Sequence, residues 1–312
     1  MPQTSQPLDS SNFKPPQQRK RTWPLRTVII VPFVLQIFAT VGLVGYLSFR
    51  SGRDAVQDLA SELMDSAGEN IDQELENYLE TPHIINQLRF DDFRNGLLST
   101  NNIDELYQHF WSQHQAFSSV SYVYMGSVEG GMIAAGRLPD GTTLIGGTPD
   151  FAEGNYEIFK ADAQGQPDEP FKVLEDWSAY NYAWFNKPLE VGQPTWGTPY
   201  KWTGRDVVAI SAGRPVYDPA GNLLGAVAVD LSLSDIGQFL QTIDISDSSS
   251  IFIVERSGEL IATSTDTPVA ITQDEQTVRL TALESQNETI QLAAQALTTD
   301  RADWQDMGDT ET

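Results

Sequence analysis

The stretch from Val28 to Phe49 reads VIIVPFVLQIFATVGLVGYLSF, 22 consecutive positions without a charged side chain. At about 1.5 Å of rise per residue it makes roughly 33 Å of helix, enough to cross a bilayer core of about 30 Å. A buried helix of a soluble domain has no need of flanking charges, whereas Arg50, Arg53 and Asp54 follow this one directly. No small-residue cleavage site follows either, so the stretch predicts a membrane anchor rather than a signal peptide. Pro32, near its start, is tolerable in a membrane helix. Before the span, Lys14, Arg19, Lys20, Arg21 and Arg26 stand against Asp9 alone, a net charge of +4, while the whole chain carries -24. Short basic flanks stay in the cytoplasm, so the amino terminus is expected inside the plasma (inner) membrane and the acidic bulk outside it, in the periplasm or beyond the cell.

That acidity repels nucleic acid, and the absence of cysteine excludes disulfides and thiolate metal sites. The first 22 or so residues, rich in Pro, Gln and Ser, read as a disordered tail. Beyond Gly52, apolar residues at Val56, Leu59, Leu63, Ala67, Ile71, Leu75 and Tyr78 follow spacings of three and four, which predicts a long amphipathic helix. Pro82 is expected to kink or interrupt it before the pattern resumes toward Leu98. A second helix is expected over Ile103 to Phe117.

From Ser119 the texture changes to short runs rich in Val, Ile, Tyr and Thr. Strands are expected at Ser119–Met125, Gly131–Leu138, Thr142–Ile145, Tyr156–Lys160, Phe171–Leu174, Thr195–Trp202, Val207–Tyr217 and Leu223–Asp230. The turn sequences Pro139-Asp140-Gly141 and Asp218-Pro219-Ala220-Gly221 join consecutive hairpins and so predict an antiparallel sheet. Ser232 and Asp235 have capping-box spacing at the start of a helix through Ile243. A strand pair, Ser250–Arg256 and Leu260–Thr263, a helix over Arg279–Leu297 and an acidic tail complete the chain. Two strands are too few to be independently stable.

Catalytic signatures are absent. His83, His109 and His114 lack the i, i+4 pairing of helical zinc sites, and Ser127 stands one place too early for a nucleophile elbow and reads as part of a hairpin turn. No metal site and no cofactor is expected. A binding pocket is expected instead, from the density of Trp177, Tyr180, Tyr182, Trp184, Phe185, Trp196, Tyr200 and Trp202 ahead of two strands, the second ending on Asp230. Aromatic faces offer area and cation attraction, and one placed carboxylate fixes orientation. With period two, Tyr200 and Trp202 share a face, as do Leu224, Ala226, Ala228 and Asp230. Since Ser232 fits the helix cap, Asp230 is left for a ligand. The ligand-contacting set read from sequence is Tyr182, Trp184, Phe185, Tyr200, Trp202 and Asp230.

Trp184-Phe185, Gln193-Pro194-Thr195-Trp196-Gly197-Thr198-Pro199-Tyr200, Gly213-Arg214-Pro215-Val216-Tyr217-Asp218 and Leu224-Gly225-Ala226-Val227-Ala228-Val229-Asp230-Leu231-Ser232-Leu233 together resemble the double Cache (dCache, PAS-like) extracellular sensor domain of bacterial membrane receptors, over roughly Ser51 to Leu297. The span is similar to the anchor of cyanobacterial Cache-containing histidine kinases and nucleotide cyclases. The resemblance implies an α+β chain of one transmembrane helix, a long amphipathic helix, a PAS-like antiparallel sheet and a second, incomplete membrane-proximal lobe. The expected divisions are a cytoplasmic tail (1–26), the span (27–49), a signalling and dimerisation helix (50–98), a membrane-distal ligand-binding lobe (99–245) and a partial proximal lobe with the acidic tail (246–312). It implies a receptor of the kinase, cyclase or chemoreceptor type, and the periodicity of the long helix predicts a parallel homodimer. A complete receptor of this type continues into a second span and an effector, so a chain ending at Thr312 is expected to be truncated.

Family members that bind amino acids carry Arg-x-Trp-Tyr, whose arginine clamps the ligand carboxylate, and a later aspartate that receives the ammonium. Here the corresponding positions read Tyr182-Ala183-Trp184-Phe185: the arginine is gone, Tyr182 standing in its place, while Trp184, Tyr200 and Asp230 match. Tyrosine offers one hydrogen bond and no permanent charge, so an amine or another polar small molecule is expected in preference to an amino acid. The competing reading is a membrane-anchored periplasmic enzyme or binding protein, with Glu175, Asp176 and Asp230 as a carboxylate set.

Overall fold

The computed structural model describes residues 24–203, 205–243, 249–273 and 276–300. The basic tail up to residue 23 and the acidic end from residue 301 lie outside the described residues. Two compact units divide the chain, Met1–Ser66 and Ala67–Thr312.

Helix α1 (Leu25–Arg94) carries the apolar span within the first unit, with mean hydropathy 2.4 over its most apolar window and none of that window buried. It is the one described helix long and apolar enough to cross a membrane. Contrary to the expected interruption, α1 runs through Pro82 and stops at Arg94. Pro82 is buried, as are Ile85, Asn86, Arg89 and Phe93 on the same helix. Packing of this face holds the helix together across the backbone donor that proline lacks. Helix α2 (Ile103–Ala116) starts at Asn102, whose side chain accepts from the Glu105 amide at 3.3 Å.

An antiparallel sheet follows. Its strands are β1 (Tyr122–Ser127), β2 (Met132–Arg137), β3 (Thr143–Gly147), β4 (Gly154–Ala161), β5 (Pro167–Trp177), β6 (Thr195–Trp196), β7 (Tyr200–Lys201), β8 (Val208–Tyr217) and β9 (Leu223–Ser232). Their order is β5-β4-β3-β2-β1-β9-β8-β6, with β7 also on β8. The single strand expected over Thr195–Trp202 is two short ones. Both pair with β8, and Pro199, which has no N–H to give a ladder, lies between them. Helix α3 (Ala183–Val191) lies in the β5 to β6 connection, and α4 (Leu233–Thr242) follows β9, capped by Ser232 Oγ accepting from the Asp235 amide at 3.0 Å.

Alternation along the central strands separates two apolar layers. On one face Val123, Met125, Val227, Val229 and Leu231 meet Ile85, Phe93, Leu106, Phe110, Ile236 and Leu240 from the helices. Each such side chain contributes about 1.5–3 kcal/mol by full burial. On the other face Tyr122, Tyr124, Ala226 and Ala228 meet Trp184 and Phe185 of α3. Leu224, expected beside Ala226, packs with the helical layer instead. Val216 pairs with Gly225 and Tyr217 with Leu223, so Leu224 is the extra residue of a bulge and turns to the opposite face.

The remaining described segments are β10 (Phe252–Val254) with β11 (Leu260–Thr263), β12 (Ala270–Gln273) with β13 (Gln276–Arg279), and α5 (Glu288–Asp300). This departs from the expected helix over Arg279–Leu297. Arg279 ends a strand, held by Glu255 at 2.7 Å, and the helix starts only after Asn287, whose Oδ1 accepts from the Ile290 amide at 3.1 Å.

Candidate functional site

The face of the sheet under α3 carries a cavity of about 60 Å³, lined by Tyr122 and Tyr124 of β1, Tyr156 of β4, Trp177, Tyr182, Trp184, Tyr200, Trp202, Thr203, Arg205 and Asp230, with Met132, Ile158 and Leu174. Five of the six residues expected from sequence therefore come together. Phe185 does not line the cavity: it is fully buried and packs edge-on to Trp184 at 5.7 Å and to Tyr180 at 5.1 Å. Helical geometry explains the difference, because Trp184 and Phe185 are consecutive and point about 100° apart.

Two glycines let α3 approach the sheet. A Cβ on Gly126 would lie 2.7 Å from Phe185 Cδ2 and 2.9 Å from Trp184 Cη2. One on Gly213 would lie 2.8 Å from the Trp184 carbonyl oxygen. Tyr182, at the N-cap of α3, stacks on Trp177 at 5.4 Å and donates to or accepts from Thr203 Oγ1 at 2.8 Å. Trp184 stands edge-on to Tyr124 at 4.7 Å.

Asp230 forms the floor. It is 1% exposed and its carboxylate accepts four hydrogen bonds: Tyr124 Oη at 2.6 Å and Ser211 Oγ on Oδ1, Tyr200 Oη at 2.7 Å and Trp202 Nε1 at 2.6 Å on Oδ2. The register explains the convergence, since Asp230 on β9 pairs with Tyr122 of β1 on one side and Ser211 of β8 on the other. Burial pushes the Asp230 carboxyl above its ordinary range, and the four donors, Ser211 first, pull it back. Tyr124 and Tyr200 are held well above the usual phenol value, by burial first and then by the charge of Asp230, so both stay neutral donors.

Arg205, in the turn between β7 and β8, brings a cation into the lining. Its guanidinium carbon lies 5.4 Å from the ring centre of Phe171, 5.6 Å from that of Tyr122 and 5.8 Å from that of Trp202. Sequence reasoning missed it because a charged residue next to Gly204 reads as a solvated turn. It also missed Tyr122, Tyr124 and Ser211, although the Tyr122-Val123-Tyr124 alternation was available as a signal.

Other sequence candidates lie elsewhere. Trp196 is part of the helical layer, edge-on to His83 at 5.1 Å. Tyr180 is exposed and bonds the Val128 carbonyl at 2.9 Å. Glu175 and Asp176 are exposed and outside the cavity lining. Ser127 Oγ donates to the Phe151 carbonyl at 2.5 Å and accepts from the Gly131 amide at 3.2 Å, a turn role. Among the described residues no group of three His, Asp or Glu is placed to hold a metal ion.

Behind the site, α1 is tied to the same strands. Asn86 Nδ2 donates to the Ala212 carbonyl at 2.8 Å, and Arg89 Nη1 reaches the carbonyls of Ala228 at 3.2 Å and Tyr124 at 3.4 Å. Arg89 is fully buried, with Nε on Gln113 Oε1 at 2.5 Å and its guanidinium 4.6 Å from the Phe110 ring centre.

Among solved structures, the ligand-binding domain of the Campylobacter jejuni chemoreceptor Tlp3 in complex with 4-methylisoleucine is 13% identical, with a TM-score of 0.41 over 65% of this chain and 71% of that one. The ligand-binding domain of the Pseudomonas aeruginosa PAO1 amino acid chemoreceptor PctC in complex with GABA is 16% identical, with a TM-score of 0.42 over 63% and 73%. No curated protein matches this sequence. The family profile described as Cache domain, dCache_1, matches residues 51–305, and the chain belongs to that family.

Proposed function

We propose that this chain is the extracytoplasmic ligand-sensing part of a membrane signal-transduction receptor, a binding module rather than an enzyme. The observation that carries the reading is the aromatic cavity closed at its floor by the four-donor cradle of Asp230. In this reading α1 anchors the chain with its amino terminus in the cytoplasm, the lobe at 99–245 binds ligand, and 246–312 holds a partial membrane-proximal lobe and the acidic tail. Family membership supports the sensor role, and the absence of a catalytic signature in the sequence supports the non-enzyme reading.

The ligand is a small amine or another polar molecule held at its nitrogen end, with α-amino acids disfavoured. Tyr124 and Tyr200 each spend their one proton on Asp230, which leaves phenol oxygens polarised by a buried carboxylate to accept from an ammonium. Rings of Trp184, Tyr182 and Trp202 add cation attraction. Tyr182 offers an α-carboxylate no charge. Isothermal titration of the full chain in nanodiscs tests this: pentylamine should bind more tightly than 2-aminopentanoate, and Trp184→Ala should abolish binding. Tight 2-aminopentanoate binding that survives Asp230→Ala refutes it.

Signalling is assigned to a homodimer paired along α1, whose Val56, Leu59 and Leu63 are exposed at spacings of three and four. Analytical ultracentrifugation giving a monomer at high concentration, with and without pentylamine, refutes the pairing.

A further inference from the structure

We infer that the cavity holds a second, anion-binding end built on Arg205, so that its amine ligand also carries a carboxylate several bonds away from the nitrogen. This rests on the sensor reading of the pocket. Two donors in one lining are unspent. Arg205 Nε is buried without a hydrogen-bond partner, and so is Tyr156 Oη, on a side chain only 5% exposed. Tyr122 Oη, also 5% exposed, receives a long contact of 3.4 Å from Arg205 Nη1 and lies beside Tyr156. The adjacent Asp206 stands 3.0 Å from Lys201 Nζ. Buried polar groups normally find partners, and two unmatched donors converging on one cavity fit a planar anion that accepts from both of them.

The two ends are separated by one side chain. Trp202 gives its indole N–H to Asp230 at 2.6 Å, while the Arg205 guanidinium sits against the same indole, 5.8 Å from its centre. An α-amino acid, with carboxylate and ammonium on one carbon, cannot reach across an indole to both. An ω-amino acid can. The fork of the guanidinium selects a carboxylate over a neutral hydroxyl, because two parallel N–H groups match its two oxygens.

Titration of the full chain with pentylamine, 5-aminopentanoate and pentanoate tests the inference. 5-Aminopentanoate should bind at least about tenfold more tightly than pentylamine, the scale of one charge-assisted contact. Arg205→Gln should remove that advantage, so that 5-aminopentanoate binds no more tightly than pentylamine. Tyr156→Phe, which deletes one hydroxyl and keeps the ring, should reduce the advantage in part and guards against a folding defect in the first variant. Equal binding of pentylamine and 5-aminopentanoate, or equal loss of both in Arg205→Gln, overturns the anion end and leaves the amine reading standing. Arg205-dependent binding of pentanoate without binding of pentylamine supports the anion end and sinks the amine reading. Failure of all three to bind overturns both.

Discussion

Trp202→Phe removes one of four donors from a carboxylate that has nowhere else to turn. Asp230 is 1% exposed, and Trp202 Nε1 supplies half of the bonding of Oδ2. A hydrogen bond to a buried charge contributes about 1.5–3 kcal/mol, so the substitution should lower the unfolding midpoint by about 3–12 °C at 2–4 °C per kcal/mol. Trp to Phe also leaves space behind, and a double-mutant cycle with Asp230→Asn removes that contribution. The Asn amide has one workable orientation. Its oxygen must face Tyr200 and Trp202, because an indole N–H cannot accept, while its NH₂ faces Tyr124 and Ser211, whose hydroxyls can turn to accept. In that background Trp202→Phe loses a neutral bond of about 0.5–1.5 kcal/mol, giving a coupling of about 1 kcal/mol. Charge also fixes the pH dependence. Burial raises the folded value of Asp230, so the cost of its ionised form is absent below the unfolded carboxylate value and grows as pH rises through the folded one. The penalty of Trp202→Phe should therefore be larger at pH 8 than at pH 4. Near-UV circular dichroism of the full chain in detergent micelles measures all four corners. Equal costs in both backgrounds, or a cost that ignores pH, would show that Trp202 serves as filler and not as a donor.

Gly126→Ala should cost about 1–3 kcal/mol and weaken pentylamine binding, because the added methyl drives into the rings of Phe185 and Trp184; unchanged melting and binding refute this. His114 is fully buried, and burial first, then Arg137, hold its imidazole down at about 4 against an unfolded value of 6.5. Its neutral form is the folded one, so stability is present above pH 6.5 and falls by about 3 kcal/mol toward pH 4; denaturation midpoints of His114→Gln should lose that part of the slope. Arg89→Met keeps most of the buried volume and removes a charge with no carboxylate partner, so it should stay within about 1–2 kcal/mol of the parent, whereas Arg89→Ala opens a cavity and should lose about 3–5 kcal/mol; parallel urea titrations with equal losses refute the distinction.

Much of this fold was legible because its signals are local. The uncharged run at Val28, the hairpin at Pro139-Asp140-Gly141 and the cap at Ser232 each need only a few neighbouring residues to be read. The misplacements arose where distant packing overrode a local rule. Pro82 reads as a break until the buried face around Ile85 and Phe93 is seen to hold α1 together. Leu224 reads as a neighbour of Ala226 until the bulge opposite Val216 and Tyr217 turns it over. The β12–β13 hairpin was missed because the Asp274-Glu275 connection between Ala270–Gln273 and Gln276–Arg279 carries no Gly, Pro or Asn to mark a turn.

The candidate site was legible where a carboxylate and aromatic rings cluster in sequence, and illegible where charge is balanced by neutral dipoles. Asp230 and Arg89 lie on opposite faces of the same pair of strands, β1 and β9, and among the described residues neither is ion-paired. Asp230 is solvated by two phenols, a serine and an indole, and Arg89 by two carbonyls and a glutamine amide. Desolvation brings the Arg89 guanidinium down to about 9, the mirror image of the upward shift at Asp230. Pairing rules that scan for opposite charges at helical or cross-strand spacing find neither residue, because their partners are groups that every sequence has in abundance. Only the register of β1, β8 and β9 brings those groups together, and that register also puts Tyr124 in contact with both charges. Its hydroxyl holds Asp230 and its carbonyl receives Arg89, so any movement of this residue that perturbs the cavity floor is felt by α1 through a single side chain.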